Sequence, residues 1–355
     1  MASRISSPPE RILRPLFRAA KDSVRSYRAA VCKTLKKPLI VDEMPAVQQL
    51  KNSQVRIGVH YCGINFADIL MAMGLYQEKP PLPAVFGGEI SGKVLEVGSD
   101  VKTVSEGDHV LGLSFMGGGF ADECVLDSRT VWKVSKSLDL KDVAAMGVSY
   151  GTAWVSLTRR AHVQAGESVL VTAAAGGVGM ATVDLAANVL NAKVIGAAGG
   201  EAKNKLVLQQ GASNVIDYKT QNIREKIKEF TNDKGVDVVV DSVGGETAIE
   251  CIKSISWEGR FVVVGFASGE IPKIAANLLL VKNCSAVGVY WGAYNRKKPE
   301  VLAGCINDVL KMLEANQIHP HVSRVFPLNE INEAFKFIMD RKSTGKVLIA
   351  MSNSS

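Results

Sequence analysis

The sequence predicts an α/β protein in which a mainly β unit is followed by a doubly wound parallel sheet. Three observations carry this. Residues 28–152 alternate short β-prone runs with Gly- and Asp-rich turns. From about residue 153 to residue 292, strands and helices alternate, as a parallel sheet with crossover helices requires. Between them in importance stands the run Val169 to Val183, where an apolar strand enters the small-residue turn Ala173–Gly179 and a helical stretch, Met180 to Leu190, follows.

The chain opens with an unusual segment. Arg4, Arg11, Arg14, Arg18 and Arg25 are spaced through Ser, Ala and Leu, and Ile12, Leu13, Leu16, Phe17 and Ala20 recur at helical spacing. An Arg-rich, Ser-containing, acid-poor amphipathic N-terminus predicts a mitochondrial transit peptide over residues 1–27, with the first strand starting at Arg28. This segment also explains the charge. Its five Arg and one Lys against Glu10 and Asp22 supply +4 of the formal +7. The dispersed +3 that remains argues against a nucleic-acid partner.

In residues 28–152 the expected strands are Arg28–Cys32, Gln54–Tyr61, Glu89–Val97, His109–Leu113 and Ala121–Leu126. Turns are expected at Gly98-Ser99-Asp100, Glu106-Gly107-Asp108 and Gly117-Gly118-Gly119. In residues 153–292 the strand Val169–Thr172 leads into Ala174-x-Gly176-x-x-Gly179, with Ala in place of the usual first Gly. A strand–turn–helix of this kind lets backbone N–H groups of Gly176, Gly177, Val178 and Gly179 approach a pyrophosphate. Further strands are expected at Ala192–Gly196, Val236–Val240 and Arg260–Val264, so the turn sits in a full βαβ context and predicts a dinucleotide site. Residues 293–355 predict two helices, Pro299–Asn316 and Leu328–Arg341, and a strand, Lys346–Met351, that returns to the β unit.

At 355 residues, the chain can bury two cores. No apolar run reaches the length of a bilayer span, so no membrane partner is expected. The six Cys are scattered without a C-x-x-C pair and read as reduced, mostly buried thiols.

These pieces resemble the medium-chain dehydrogenase/reductase superfamily, and within it the zinc-independent quinone oxidoreductase branch. The resemblance spans nearly all of residues 28–351. It rests on Gly63-Ile64-Asn65-Phe66-Ala67-Asp68, Gly74-Leu75-Tyr76, Phe86-Gly87-Gly88-Glu89-Ile90-Ser91-Gly92, Gly107-Asp108-His109-Val110, Ala173–Gly179, Val215-Ile216-Asp217-Tyr218 and Gly345-Lys346-Val347. It implies a GroES-like β domain and a Rossmann domain with the active site between them. It also implies a homo-oligomer, dimer or tetramer, joined through an edge strand, here Ser285–Tyr290.

The same resemblance bears on chemistry. Zinc-dependent relatives carry a Cys where this chain has Asn65 and Gly-His-Glu where it has Gly87-Gly88-Glu89, so no metal site is expected. An NAD-preferring site ends its second strand in Asp or Glu; here Ala197 stands there. Lys203 and Tyr218 match contacts to a 2′-phosphate, which implies NADP(H), although both also suit a solvated helix Lys and a loop aromatic. Thr152 matches a residue near the nicotinamide, and equally suits a helix N-cap. Val243, Gly244, Gly265 and Phe266 follow strand C-termini, where cofactors lie in open α/β sheets. Lys346 matches a lysine close to the cleft. Asn65 and Tyr76 match residues lining the acceptor cleft, where an amide and a phenol can hydrogen-bond a carbonyl gaining charge; a turn bond for Asn65 and packing for Tyr76 are the plain alternatives. Leu70 stands where bacterial-type quinone reductases have a second Tyr, giving a more apolar pocket. The resemblance thus implies hydride transfer to a small-molecule quinone or enone. Two other functions share the pattern: a mitochondrial enoyl-thioester reductase, in which Tyr76 is a general acid, and a non-catalytic, crystallin-like NADPH binder.

Overall fold

The computed structural model describes residues 25–354. Residues 1–24, most of the expected transit peptide, therefore lie outside the described residues. The first strand starts earlier than the expected Arg28. Ser26 and Tyr27 already belong to the strand Ser26–Cys32, paired with Pro45 and Met44, and Arg25 is ion-paired with Glu123.

Two sheets carry the molecule. A six-stranded, wholly parallel sheet has the order Asn214–Asp217, Lys193–Ala198, Ser168–Val171, Val236–Asp241, Ile255–Val263, Ser285–Gly288. Its order reverses at Ser168–Val171, so the chain leaves this strand at the switch point where ligands bind. The central strands are Val-rich and buried on both faces, as crossover helices demand. The second sheet is mostly antiparallel, in the order Val322–Pro327, Lys346–Ala350, Gln54–Ile64, Glu89–Val97, His109–Leu113, Val131–Lys133, with Glu123–Asp127 also pairing Gln54–Ile64. A three-stranded sheet of Ile40–Pro45, Ser26–Cys32 and Ala84–Val85 packs beside it. The C-terminal strand thus returns to the β unit as the sequence predicts, pairing Val347 with Ile64 and Ala350 with Tyr61.

The division expected at residues 152 and 153 cuts a helix. Leu140–Trp154 is continuous, capped by Asp139, and widens into the π turn Val155–Arg160. This helix packs against both sheets: Tyr150 and Ala153 lie in the core of the parallel-sheet unit, and Ala144 and Ala145 pack on Leu348 of the other. Likewise Met180 to Leu190 is α-helical only within Gly177–Asp184, then opens into the π turn Leu185–Val189. Five of the six Cys are buried, and all are free thiols.

Candidate functional site

The dinucleotide turn folds as small residues require. Ala173 adopts φ of 45°, and the Ala174 N–H donates to the Ala197 carbonyl at 3.0 Å, tucking the turn against the next strand. A Cβ on Gly179 would collide with the Ala173 carbonyl oxygen, so only glycine closes this turn. Gly176 caps the helix Gly177–Asp184 without any side-chain bond, leaving its first-turn N–H groups with no side-chain acceptor. Val178 belongs to that first turn, and its carbonyl accepts from Thr182 Oγ1 at 2.7 Å. The turn has the shape and dipole that a diphosphate needs.

The second strand ends in buried Ala197 and Ala198, then Gly199 and Gly200. Tyr218 covers Gly199: a Cβ there would lie 2.8 Å from the phenol oxygen. Gly200, at φ of 99°, donates its N–H to Asp217 Oδ1 at 3.1 Å. That carboxylate also accepts from the Lys219 N–H, which occupies it with backbone. Three cations gather here. Lys203 Nζ donates to the Arg341 carbonyl at 2.6 Å, and burial, together with the charges of Lys219 and Arg341, holds its ammonium below the usual range. An ammonium held down by neighbouring cations marks a place suited to an anion. This corner suits a ribose 2′-phosphate. Lys219 and Arg341 were not singled out from sequence. The first stands next to Tyr218 and was legible; the second comes from the far end of the chain, with no pattern to announce it.

At the opposite end, the loops after two strands are laced together. Asp241 is fully buried; Thr172 Oγ1 donates to its Oδ1 at 2.6 Å, and the Val243 and Gly244 N–H groups donate to its two oxygens at 3.1 and 3.0 Å. Burial pushes this carboxyl up. Phe266 leans on Gly244, where a Cβ would lie 2.9 Å from its ring, and the Gly265 N–H points back to the Asp241 carbonyl at 3.4 Å. Val243, Gly244, Gly265 and Phe266 therefore form one surface at the strand ends. Thr152 is not an N-cap. It lies in the last turn of Leu140–Trp154, buried, its carbonyl accepting from Ser156 Oγ.

Between the two sheets lies a buried polar cluster. Lys346 Nζ donates to Glu89 Oε2 at 2.8 Å, to Asn65 Oδ1 at 2.8 Å and to the Ile64 carbonyl at 3.1 Å. Glu89 Oε1 accepts the Val148 N–H at 2.7 Å, and Asn65 Nδ2 donates to Glu89 Oε2 at 3.2 Å. The Glu89 and Lys346 side chains are 0% and 5% exposed. All three ammonium protons have acceptors, so Lys346 is not free to hold a cofactor phosphate. Instead its stem runs beneath the dinucleotide turn, 3.2 Å from where a Gly177 Cβ would be. Asn65 corrects the expectation too: both ends of its amide are engaged inward, on Lys346 and Glu89, rather than offered to an acceptor. Asp68 braces the same corner. It accepts the Asn65 and Gly87 N–H groups at 2.8 and 3.1 Å, and burial pushes its carboxyl up to about 6.

Tyr76 keeps a free hydroxyl. It has no hydrogen-bond partner among the described residues, and burial first, then Tyr290 and Glu78, raise its phenol, so it stays a proton-bearing donor. Met71, Glu78, Lys79, Pro80, Phe115 and Met116 line a small pocket, and Phe115 meets the Trp291 ring at 6.0 Å. Cys62 is packed in the core, 2.8 Å from where a Gly87 Cβ would be, and among the described residues no group of three His, Cys, Asp or Glu side chains converges to hold a metal.

The fold and site define a two-domain dehydrogenase/reductase. Residues 51–136 match the family described as alcohol dehydrogenase GroES-like domain, and residues 177–306 that described as zinc-binding dehydrogenase. The chain is 51% identical to a quinone oxidoreductase-like protein 2 homolog from Nematostella vectensis, covering 96% of this chain and 97% of that one. It is 45% identical to quinone oxidoreductase-like protein 2 from Rattus norvegicus, covering 99% and 100%. The solved Escherichia coli quinone oxidoreductase complexed with NADPH superposes with a TM-score of 0.82 at 25% identity, over 92% of this chain and all of that one. The chain belongs to the quinone oxidoreductase-like protein 2 family of the medium-chain dehydrogenase/reductase superfamily.

Removing one partner of the buried pair should be costly. Lys346→Ala should lower stability by about 3–5 kcal/mol, because Glu89 is left charged and buried. The double variant Lys346→Met with Glu89→Gln should cost clearly less than the sum of its singles in chemical denaturation. Additive losses would mean that the two side chains do not act as a pair.

Proposed function

We propose that the chain is an NADPH-dependent reductase that delivers hydride to a quinone or a related activated carbonyl or enone, without a metal. The observation that carries this reading is the pairing of two features: the Lys203, Lys219 and Arg341 corner, which suits a 2′-phosphate, and the half-buried Tyr76 hydroxyl, which has no partner among the described residues. When bound, the nicotinamide supplies the hydride. The chain's part is positioning. The Gly176–Gly179 turn receives the diphosphate, the three cations select the 2′-phosphate, and Phe266 and Gly244 bound the nicotinamide end. Tyr76 donates a hydrogen bond to an acceptor oxygen as it gains charge. Metal independence is supported by Asn65 and Gly88 in place of ligands and by the close packing of Cys62.

Enoyl-thioester reduction is a second reading, favoured by the same free Tyr76 hydroxyl, which could protonate the carbon beside the thioester carbonyl. One experiment separates the two. NADPH oxidation is followed with phenanthrenequinone and with crotonyl-CoA, for wild type and Tyr76→Phe. On the quinone reading, wild type turns over phenanthrenequinone and the variant is slowed only by the loss of one hydrogen bond, about 10-fold, because no proton transfer from Tyr76 is lost. A loss of at least 100-fold with crotonyl-CoA, the scale of a lost general acid, would establish the thioester reading. Binding of NADPH with no turnover on either acceptor would leave the non-catalytic reading.

Cofactor preference has its own test. Arg341→Ala and Lys219→Ala should each raise the KM for NADPH about 10-fold while moving that for NADH less than twofold; equal effects on both cofactors would contradict the 2′-phosphate assignment.

We also propose mitochondrial routing by the Arg-spaced N-terminal segment, with its processing point ahead of Ser26, since Ser26 and Tyr27 are paired strand residues. Residues 1–24 fused to a fluorescent reporter should carry it to mitochondria, and a diffuse cytosolic signal would contradict this. Self-association is supported by Ser285–Gly288, which pairs only with Ile255–Val263 among the described strands and has no strand on its other side, although the Gly288 carbonyl accepts from Arg160 Nε at 3.0 Å. Sedimentation velocity on the full chain should show a dimer or tetramer, and a monomer throughout the micromolar range would contradict it.

A further inference from the structure

On the face of the parallel-sheet unit lies a pocket of about 290 Å³, lined by none of the residues assigned above to the cofactor or the acceptor. Arg159 and Arg160, at the end of the π turn Val155–Arg160, line one wall. Lys297 and Lys298, just before the long helix Pro299–Glu314, line the other, and Tyr290 and Tyr294 lie in the same lining. No acidic side chain lines the pocket, and none of the four cations is ion-paired among the described residues. Arg160 is held in place: its Nε donates to the Gly288 carbonyl at 3.0 Å, which leaves its two terminal nitrogens for a ligand. Lys298 is the N-cap of a 16-residue helix and offers no side-chain cap, so the positive end of that helix adds to the same field. Four unneutralised cations around a concavity are electrostatically costly unless an anion joins them.

We propose that this pocket binds a phosphate monoester or diphosphate carried by a small molecule. Arginine forks and lysine point charges together suit phosphoryl oxygens, and the two phenols can add neutral donors. Tyr290 connects the pocket to the acceptor cleft. Its ring lines the pocket, while its hydroxyl donates to Glu78 Oε1 at 3.1 Å, a carboxylate also held by Arg296 at 2.9 Å and two residues from Tyr76. A phosphorylated acceptor could therefore reach from Tyr76 past Tyr290 into the pocket. That source of the phosphate rests on Tyr76 being the acceptor end; a free phosphorylated ligand does not.

The test uses the full chain saturated with NADPH, so that the cofactor's own phosphate sites are filled. Inorganic diphosphate is titrated calorimetrically into wild type and into the double variant Arg159→Ala with Lys297→Ala, whose side chains are both exposed. The proposal expects one-to-one binding, at least 10-fold weaker in the variant, with the KM for NADPH within twofold. No binding to wild type, or binding indifferent to the substitutions, would overturn it. Loss of self-association together with diphosphate binding would also overturn it, by making the pocket a subunit contact. The source is then read kinetically. A KM that rises for crotonyl-CoA, and not for the phosphate-free crotonyl-N-acetylcysteamine thioester, puts the phosphate on the acceptor. Unchanged KM values beside lost diphosphate binding put it on a free ligand; both results support the pocket. If neither thioester is turned over, the acceptor reading fails and the diphosphate titration alone decides.

Discussion

The ion pair between Lys346 and Glu89 is the constraint around which the two units are organised. The strand Lys346–Ala350 starts one residue after Gly345, whose N–H donates to the Ala175 carbonyl in the dinucleotide turn at 2.8 Å. Two adjacent residues therefore touch the cofactor turn on one side and the buried Asn65–Glu89 corner on the other. Glu89 continues the chain of contacts through Val148 into the helix Leu140–Trp154, which packs on both sheets. Burying a charge this completely is unfavourable unless every donor and acceptor is met, and here the ammonium has three acceptors. A cluster so fully satisfied holds one geometry, and that geometry fixes the distance between the dinucleotide turn and the acceptor wall.

The same principle recurs at the other end of the site with a different residue. Asp241 gathers Thr172, Val243 and Gly244 and thereby ties the loop after one strand to the loop after its neighbour. Backbone at the strand ends is thus positioned by buried side chains. An acceptor that is already polarised needs little more from the protein than orientation.

Much of this was legible in the sequence because it depends on local rules. Strands Glu89–Val97 and His109–Leu113 are found at their expected limits, since alternation and flanking turns define them. The dinucleotide turn was legible from its small residues, each needed for a close backbone approach. Ile40–Pro45 was not, being a largely exposed edge strand that ends in proline, with no apolar period to reveal it. Nor was Val322–Pro327, whose strand character comes from pairing with Lys346–Ala350. Asn65 shows the deeper limit. Its type allows an amide facing a substrate or an amide holding a buried charge, and the choice is made by Lys346, 281 residues away. Arg341 reaches the corner of Lys203 and Lys219 in the same way, through tertiary placement alone. The helix Leu140–Trp154 crosses the expected domain boundary because its two ends serve different cores.

The most direct test is a crystal structure of the full chain with NADP⁺ bound. The account predicts the 2′-phosphate among Lys203, Lys219 and Arg341, the diphosphate over Gly176–Gly179, and the Lys346 ammonium still on Glu89 and Asn65. A Lys346 that leaves Glu89 to bind the cofactor would contradict the claim that this pair is the fixed seam between the two units.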